Sequence, residues 1–470
     1  MRILTRLQAA LCAFLVAGAS WAQPLPATVT GALKHAGIPR YASAVYVQAV
    51  DRERPLLAWN AHAPFSPAST MKLVTTDAAL ELLGPSFFWT TGAYASGTRD
   101  GDVLHGDLII KGSGDPKLVI ENFWLFLRRI RAAGIREIDG DLILDRSAFE
   151  PDDYDPSAFD QDPLKTYNTG PDALLLNYEA LGLHFVPDPQ HGAVQLSTDP
   201  PFAHFPLQPP ALGSGPCGDW RGQLQPQIDG AGARILGDYP AACGERSWYL
   251  HPYQMSDTRY FELLFRNLWR ELGGSLTGTV RAGVLPADAQ PVAEWESPPL
   301  AEVIRDINKF SNNVMAKQVL LTIANQVLQV PARPELGAAA IKSWLGRRGI
   351  AAPELVIDNG SGLSRQARIS ASTMGRLLVD AYRAPTMPEL MASLPLAGYD
   401  GTMRHRLTDT PVAGHAHIKT GSLEEVRAIA GYLLAASGRR YVVVFFVNHA
   451  NAERAPAAED ALLEWVYRHG

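Results

Sequence analysis

An unbroken apolar run near the carboxyl end of the chain, Val442 to Val447, most narrows what this sequence can fold into. Strands with one exposed face alternate between apolar and polar residues, whereas strands buried on both faces read as continuous apolar runs. The run therefore predicts a central strand with a layer on each side. Ile429 to Ala435 and the turn Ser437-Gly438 complete a hairpin with it, and the run Ala44 to Ala49 predicts a further strand.

Helical patterns flank this predicted sheet. Ser66 suits a helix N-cap and Pro67 the first helical position, and the pattern continues to Leu83 before Gly84-Pro85 ends it. A closing helix is predicted over about residues 455–467. We therefore expect an α/β (α+β) protein with a central antiparallel sheet between helices.

The middle of the chain has a different texture. Two strand-like phrases, Gly106 to Ile110 and Gly140 to Leu144, enclose helical spacing over Leu118 to Ala133, which predicts a small β-α-β unit at about residues 101–150. The following stretch, about Pro151 to Tyr239, is rich in Pro, Gly and Asp and predicts a loop-rich second unit. The expected division is one domain in two parts, 23–90 and 291–470, interrupted by inserted units over 91–290.

The first 22 residues are typical of an export signal. Arg2 and Arg6 precede an apolar run from Ala9 to Ala19, and Ser20-Trp21-Ala22 ends in a small-residue cleavage site. The run of about 11 residues is short for a membrane anchor, although an uncleaved anchor is the alternative. No transmembrane segment is predicted after signal removal. We expect a soluble or loosely peripheral protein of the periplasmic or cell-wall compartment.

Two cysteines, Cys217 and Cys243, would remain after the signal leaves with Cys12. In an exported chain they predict one disulfide, and two thiols without a nearby histidine make no metal shell. The chain has 42 basic and 48 acidic residues without a basic tract, which argues against nucleic-acid binding. The sequence leaves the oligomeric state open.

Ser69 and Lys72 lie near the start of the first predicted helix, where side chains three residues apart share a face. A serine hydroxyl becomes a strong nucleophile only when a base removes its proton. A lysine can be that base if burial or nearby positive charge lowers its pKa, whereas arginine cannot. Of nine lysines, only Lys72 follows a serine by three positions. Alone, the pattern also fits a surface lysine on a capped helix.

A second candidate motif, Ser311-Asn312-Asn313, lies between two helical patterns. In a cleft, the Ser311 hydroxyl can relay a proton and the Asn313 amide can bind a substrate amide. Taken alone, the triplet fits an ordinary helix cap equally well.

A third candidate motif, Lys419-Thr420-Gly421-Ser422, opens the last β region. Lys419 supplies positive charge, and Thr420 and Ser422 can bind a substrate carboxylate. We expect Gly421 to leave room for an extended peptide along the strand. The alternative is a polar strand entry without a catalytic role.

In chain order the motifs read Ser-x-x-Lys, Ser-x-Asn and Lys-Thr-Gly, the set found in β-lactamases and penicillin-binding proteins. The chain resembles the D-alanyl-D-alanine carboxypeptidase/endopeptidases, the class C low-molecular-mass penicillin-binding proteins. The likeness spans essentially the mature chain and includes the strings Pro67–Leu73, Gly360–Arg365 and Leu394–Gly401. Asn359 departs from the family, which usually has Asp before the Gly-Ser-Gly string, and we expect an altered turn without a lost catalyst.

The separation of 242 positions between Ser69 and Ser311 is several-fold longer than in small β-lactamases. The resemblance implies that the excess holds two small domains inserted into a transpeptidase-like domain. It also implies a role for each motif residue: Ser69 the acylated nucleophile, Lys72 its base, Ser311 the proton relay, Asn313 the substrate-amide partner, Lys419 the electrostatic aid, and Thr420 and Ser422 the carboxylate contacts. Backbone N–H groups of Ser69 and Ser422 would form the oxyanion hole. Arg365 is expected at the cleft border, with a plain surface arginine as the alternative.

The resemblance implies a serine DD-peptidase that hydrolyses D-Ala-D-Ala termini of peptidoglycan stem peptides through an acyl-enzyme. D-alanyl cross-links are a second expected substrate, and β-lactams are expected covalent inhibitors. No metal or organic cofactor is implied. Two alternatives stay open: a β-lactamase or esterase on the same scaffold, and a non-catalytic wall-binding scaffold protein.

Overall fold

The computed structural model describes residues 24–151, 153–202 and 204–470. The predicted signal peptide, residues 1–22, lies outside the described residues. No helix within these ranges combines the length and the apolar character that crossing a bilayer requires.

The chain alternates between helical and β-rich stretches. The helices are α1 (Ala27–His35), α2 (Met71–Leu83), α3 (Ile120–Ala132), α4 (Asp257–Glu271), α5 (Leu300–Phe310), α6 (Asn313–Leu328), α7 (Pro334–Arg347), α8 (Ala371–Arg383), α9 (Met387–Ser393) and α10 (Pro456–His469). The strands are β1 (Ser43–Ala49), β2 (Leu57–Trp59), β3 (Pro64–Phe65), β4 (Thr90–Asp100), β5 (Val103–Lys111), β6 (Glu137–Ile138), β7 (Leu142–Asp145), β8 (Leu181–Asp188), β9 (Ala193–Asp199), β10 (Leu207–Gln208), β11 (Ala211–Gly213), β12 (Leu224–Ile228), β13 (Ala233–Pro240), β14 (Arg246–Leu250), β15 (Ser275–Leu276), β16 (Val280–Ala282), β17 (Gln290–Glu296), β18 (Ile369–Ser370), β19 (Ala416–Leu423), β20 (Val426–Leu434) and β21 (Arg440–Asn448).

The main sheet has five antiparallel strands in the order β19-β20-β21-β1-β2. Its middle strand, β21, contains the apolar run. Val443 and Phe445 join a buried cluster shared with α1 and α10, whereas Val444 and Phe446 join the cluster on the opposite face, which includes residues of α2 and α8. The prediction of a strand buried on both faces is therefore confirmed, and its unbroken hydrophobicity follows from the two helical layers.

The middle of the chain builds a separate seven-stranded sheet from β4, β5, β6, β7, β15, β16 and β17. β5 and β7 pair in parallel with α3 between them, so the predicted β-α-β unit is confirmed. The buried cluster around this sheet runs from Ala93 to Trp295 and is distinct from the clusters of the main sheet. This separation supports an insertion over 91–290, although the middle sheet continues to Glu296. The domain boundaries stay a proposal, and the name inserted region is used below for residues 91–290.

The predicted disulfide is confirmed. Cys217 and Cys243 are bonded to each other across a sequence separation of 26 residues. Cys243 is buried in the hydrophobic cluster of the inserted region, and the partly buried Cys217 packs against that cluster.

The predicted helix start at Ser66 is wrong. The backbone N–H of Ser66 donates to Asn448 Oδ1 at 2.8 Å, and Asn448 Nδ2 donates back to the Ser66 carbonyl at 3.1 Å. This pairing ties the Ser66 backbone to the end of the central strand. The Ser66 hydroxyl has no hydrogen-bond partner among the described residues, so it caps no helix. A short 3₁₀ turn, Ala68–Thr70, comes first, and α2 begins at Met71.

Candidate active site

Ser69 lies in the 3₁₀ turn and Lys72 in the first turn of α2. Lys72 Nζ lies 3.0 Å from Ser69 Oγ, within hydrogen-bond distance as the three-residue spacing predicts. The Lys72 side chain is fully buried, whereas Ser69 is partly exposed. A ligand can therefore reach the hydroxyl while solvent cannot reach the amine.

Two further oxygens surround the Lys72 amine. Asn313 Oδ1 lies 2.5 Å from Lys72 Nζ, and the Ser361 carbonyl oxygen lies 2.6 Å from it. A neutral amine has two N–H donors and one lone pair, so these two oxygens can accept both hydrogens. The lone pair is then free to accept the Ser69 proton.

Burial and charge both favour this neutral form. Burial lowers the pKa of Lys72 well below its ordinary value, and the nearby positive charges of Lys419 and Lys317 lower it further. Removing a charged amine from water is costly, and two neighbouring cations raise that cost. The site therefore favours the neutral, basic form of Lys72 far more than water does.

Ser311 and Lys419 form a second hydroxyl–amine pair. Ser311 has left-handed backbone angles, φ 58° and ψ 36°, and separates α5 from α6. Lys419 is fully buried in β19, and its Nζ donates to Ser311 Oγ at 3.0 Å and to the Thr420 carbonyl at 2.8 Å. Burial lowers the pKa of Lys419 to about 7. The break between the helices thus places a hydroxyl beside a buried lysine.

Gly421 has a structural reason that the sequence did not indicate. A Cβ at this position would lie 2.7 Å from the Pro67 carbonyl oxygen and 3.0 Å from the Ser69 backbone nitrogen. Such contacts are too short for any side chain. The missing side chain therefore lets β19 approach the turn that carries Ser69, and room for an extended peptide along the strand stays a prediction.

The remaining Lys-Thr-Gly residues lie towards the open side of the site. Thr420 is half-buried, and its hydroxyl donates to Thr402 Oγ1 at 2.7 Å. Ser422 is exposed two residues further along the strand. Thr402 went unnoticed in the sequence, although it directly follows the Leu394–Gly401 string.

Arg365 borders the Ser69 turn. Its guanidinium lies 5.0 Å above the centre of the Phe159 ring and forms an ion pair with Glu424, at 2.9 Å. Phe159 in turn packs with a small cluster that includes Ala68, the residue before Ser69. The arginine itself is exposed, so it can meet a ligand held over the Ser69 turn.

Asn359 shapes the turn that supplies the Ser361 carbonyl. Its Oδ1 accepts from the Ser361 backbone N–H and hydroxyl, and its Nδ2 donates to the Leu363 carbonyl at 2.8 Å. An ionised aspartate accepts the first two bonds but has no hydrogen for the third. The turn at Asn359 is thus closed by a bond specific to asparagine. The sequence alone assigns no role to Ser361, although this residue lies in the Gly360–Arg365 string.

A partly exposed serine beside a buried lysine, with a second serine–lysine pair close by, is the arrangement of a serine acyl-transfer enzyme. The D-Ala-D-Ala carboxypeptidase 3 (S13) family model matches residues 25–469, and the chain belongs to this family. The predicted family is therefore confirmed, and the enzyme class is that of the serine-type D-Ala-D-Ala carboxypeptidases.

Individual relatives agree with this assignment. The chain is 28% identical to D-alanyl-D-alanine carboxypeptidase DacB of Haemophilus influenzae over 407 residues, 83% of this chain and 84% of the relative. The crystal structure of penicillin binding protein 4 (dacB) from Haemophilus influenzae has a TM-score of 0.81 at 24% identity and covers 94% of this chain and 99% of that one. A second structure of that protein, complexed with a novel beta-lactam, has a TM-score of 0.75 at 25% identity, with 94% and 100% covered. The predicted fold class is confirmed by this likeness.

Proposed function

We propose that this chain hydrolyses the terminal D-Ala-D-Ala bond of peptidoglycan stem peptides through an acyl-enzyme on Ser69. The observation that carries the proposal is the 3.0 Å contact between Ser69 Oγ and the buried Lys72 amine. The name of the Haemophilus influenzae relative, a D-alanyl-D-alanine carboxypeptidase, supports the substrate class.

Acylation begins with proton transfer from Ser69 Oγ to the neutral Lys72 amine. The oxygen then attacks the carbonyl carbon of the penultimate D-Ala and forms a tetrahedral intermediate. Backbone N–H groups of Ser69 and Ser422 are the proposed donors to its oxyanion, and a well-placed donor is typically worth about 3–4 kcal/mol.

Collapse of the intermediate breaks the peptide bond. The leaving amine of the terminal D-Ala takes a proton from the Ser311 hydroxyl, which lies 3.0 Å from Lys419 Nζ and can be reprotonated from there. The product is an ester between Ser69 Oγ and the shortened stem peptide. The proton that Lys72 took from Ser69 then passes to the Ser311–Lys419 pair, which restores both amines. Water attacks the ester carbonyl as Lys72 takes one of its protons, the bond to Ser69 Oγ breaks, and Lys72 passes that proton to the Ser69 oxygen.

Positive charge and hydroxyl groups select the substrate end. Thr420 and Ser422 are the proposed partners of the terminal carboxylate, and Lys419 supplies positive charge behind them. Asn313 holds the scissile side of the substrate through its amide, and Arg365 contacts the acyl side. None of these steps uses a metal or an organic cofactor.

The same site supports several wider proposals. A D-alanyl cross-link presents the same D-Ala carbonyl to Ser69, so cross-linked stems are proposed as a second substrate. β-Lactams are proposed to acylate Ser69, and the relative with a bound beta-lactam supports this. Action on peptidoglycan requires export, so we place the protein in the periplasmic or cell-wall compartment.

Intact-mass spectrometry with benzylpenicillin tests the proposal. The wild-type protein is expected to gain one penicillin mass that persists for hours, whereas Ser69→Ala gains none. Ser437→Ala, in an exposed turn, is the matched control and keeps the adduct. Release of D-alanine from a pentapeptide ending in D-Ala-D-Ala is expected in parallel.

Two outcomes would contradict the proposal. Rapid destruction of penicillin without a lasting adduct favours a β-lactamase on this scaffold. Absence of adduct, penicillin turnover and D-alanine release favours a non-catalytic wall-binding protein.

A further inference from the structure

A buried lysine outside the three motifs, Lys317, lies one helical turn beyond Asn313 on α6. Only 2% of its surface is exposed, and no step proposed above uses it. Its Nζ donates to Tyr154 Oη at 2.6 Å and to the Thr169 carbonyl at 2.9 Å. The amine also lies 4.7 Å from the centre of the Tyr154 ring. Burying an amine is costly, so these contacts call for an explanation.

Both partners of Lys317 belong to one segment of the inserted region, residues 153–169. Thr169 is fully buried, whereas Tyr154 is 37% exposed and lies over Gly170. A Cβ on Gly170 would lie 2.8 Å from Tyr154 Cδ1, so the ring is seated where only glycine leaves room. The Tyr154 ring therefore packs closely against the backbone at Gly170.

The helix that carries Asn313 holds the inserted region at further points. Gln318 Nε2 donates to the Asp172 carbonyl at 2.7 Å, and the Asp172 N–H donates to Gln318 Oε1 at 3.0 Å. Asn325 Nδ2 donates to the Ala148 carbonyl at 3.2 Å. The first residue of α6 thus belongs to the active site, and later residues of the same helix bind the inserted region.

The segment held by Lys317 also reaches the active site. Asp160 accepts bonds from Tyr167 Oη at 2.6 Å and Asn168 Nδ2 at 2.7 Å, which tie the segment together internally. Phe159, in its middle, lies beneath Arg365 and packs with Ala68 beside the nucleophile. Phe159 and Arg365 thus form one wall of the active site. A change in the contact between Lys317 and the segment would therefore move this wall.

We propose that Lys317 and Tyr154 form a clasp that holds segment 153–169 against α6, and that this clasp positions Phe159 and Arg365 for the acyl part of a stem peptide. The inference rests on the proposed function and adds a positioning role for Lys317. A stem peptide extends along this wall, whereas the compact bicyclic core of a penicillin is smaller. The clasp therefore matters for peptides and little for penicillin.

Tyr154→Ala is the main test because it removes the clasp without removing a charge. Lys317 also lowers the pKa of Lys72 through its charge, so Lys317→Met alone would mix two effects. Tyr253→Ala, at a similarly exposed tyrosine of the inserted region, is the control.

Two measurements on the full-length mature protein decide the proposal. In Tyr154→Ala, amide hydrogen exchange in residues 153–169 is expected to rise at least tenfold. KM for a D-Ala-D-Ala pentapeptide is expected to rise at least fivefold, with kcat and benzylpenicillin acylation within twofold of the wild type.

If hydrogen exchange in residues 153–169 is unchanged in Tyr154→Ala, the clasp does not hold the segment. If the variant loses activity equally towards the pentapeptide and benzylpenicillin, the clasp does not position Phe159 and Arg365 for the peptide. An unchanged KM despite faster exchange also overturns the positioning role. If the wild-type protein neither releases D-alanine nor forms a penicillin adduct, the proposed function has failed, and the exchange result still decides whether the clasp exists.

Discussion

The active cleft and the inserted region bury ionisable groups of opposite kinds. In the cleft, Lys72 and Lys419 are fully buried, and burial lowers the pKa of each amine. In the inserted region, Asp115 and Glu179 are buried, and burial raises the pKa of each carboxyl group, for Asp115 to about 7. One cause acts in both places, because burial disfavours whichever form is charged.

The two regions differ in what these buried groups touch. Each cleft amine lies 3.0 Å from a serine hydroxyl that is partly exposed, so a proton can pass between them and a substrate. Asp115 Oδ1 accepts from the Lys117 backbone N–H, and its Oδ2 has no hydrogen-bond partner in the described part of the chain. Burial therefore shifts pKa values in both regions, while the cleft amines, unlike Asp115, contact a partly exposed hydroxyl group that can pass a proton on.

The largest effect is expected from Lys72→Met, which keeps an apolar stem of similar length but removes the base. Acylation by benzylpenicillin is expected to fall about 10³-fold, within the range for loss of a general base. Stopped-flow acylation kinetics measure this rate. Lys342→Met, at an exposed lysine of α7, is the control and keeps the wild-type rate. If the acylation rate of Lys72→Met is within tenfold of the wild-type rate, Lys72 is not the base that activates Ser69.

Ser311→Ala is expected to have the next largest effect. It removes the hydroxyl between Lys419 and the leaving amine, while Lys419 keeps its bond to the Thr420 carbonyl. Release of D-alanine from the pentapeptide is expected to fall about 10²-fold, measured as kcat/KM. Equal rates in the variant and the wild type would mean that the leaving amine takes its proton elsewhere.

Gly421→Ala probes the approach of β19 to the Ser69 turn. The added methyl group would collide with the Pro67 carbonyl and the Ser69 N–H, so the strand must move away. Overpacking of this kind costs about 1–3 kcal/mol of stability. Penicillin acylation is expected to fall about tenfold in the same range of free energy, with a lower Tm in calorimetry. Gly346→Ala, in α7 with open space around it, serves as the control.

Gly438→Ala is unsuitable as a control, because Gly438 has a positive φ that strains any other residue. Full acylation by Gly421→Ala would refute the close-approach argument.

The smallest effect is expected from Asp115→Asn and concerns stability alone. The folded-state pKa of Asp115 is raised to about 7, above an unfolded value near 3.8. The folded protein thus holds a proton that the unfolded chain loses, and wild-type stability falls as pH rises from about 4 to 7. The neutral variant lacks this loss. Its Tm is expected to match the wild type near pH 4 and to exceed it by a few degrees at pH 8. A Tm difference that does not change with pH would show that Asp115 does not titrate in this range.

Local patterns in the sequence predicted much of the fold. The central strand, the last hairpin, the β-α-β unit and the disulfide all follow from periodicity, turn residues and cysteine count. The start of α2 could not be predicted, because the partner that holds Ser66 is Asn448, 382 positions away. A local cap rule cannot register a contact of that kind.

The site shows the same limit. Ser69 and Lys72 share a helical turn, so their contact could be predicted from spacing. Nothing local places the Ser361 carbonyl on Lys72 Nζ, at a separation of 289 positions, or Lys317 on Tyr154. Gly421 was recognised as a motif residue, but its purpose became visible only when β19 was seen against the Ser69 turn. The motifs identified the chemistry, and the tertiary contacts define its electrostatics.

The most direct test of the account is the protonation state of Lys72 in the resting enzyme. NMR titration of isotope-labelled lysine side chains can follow it, because the chain has only nine lysines and Lys72→Met identifies the signal. We expect the Lys72 amine to be neutral at pH 7, although an unperturbed lysine has a pKa near 10.4 and is protonated there. A Lys72 signal that remains that of a protonated amine up to pH 9 would contradict it, since no base would then be present to activate Ser69.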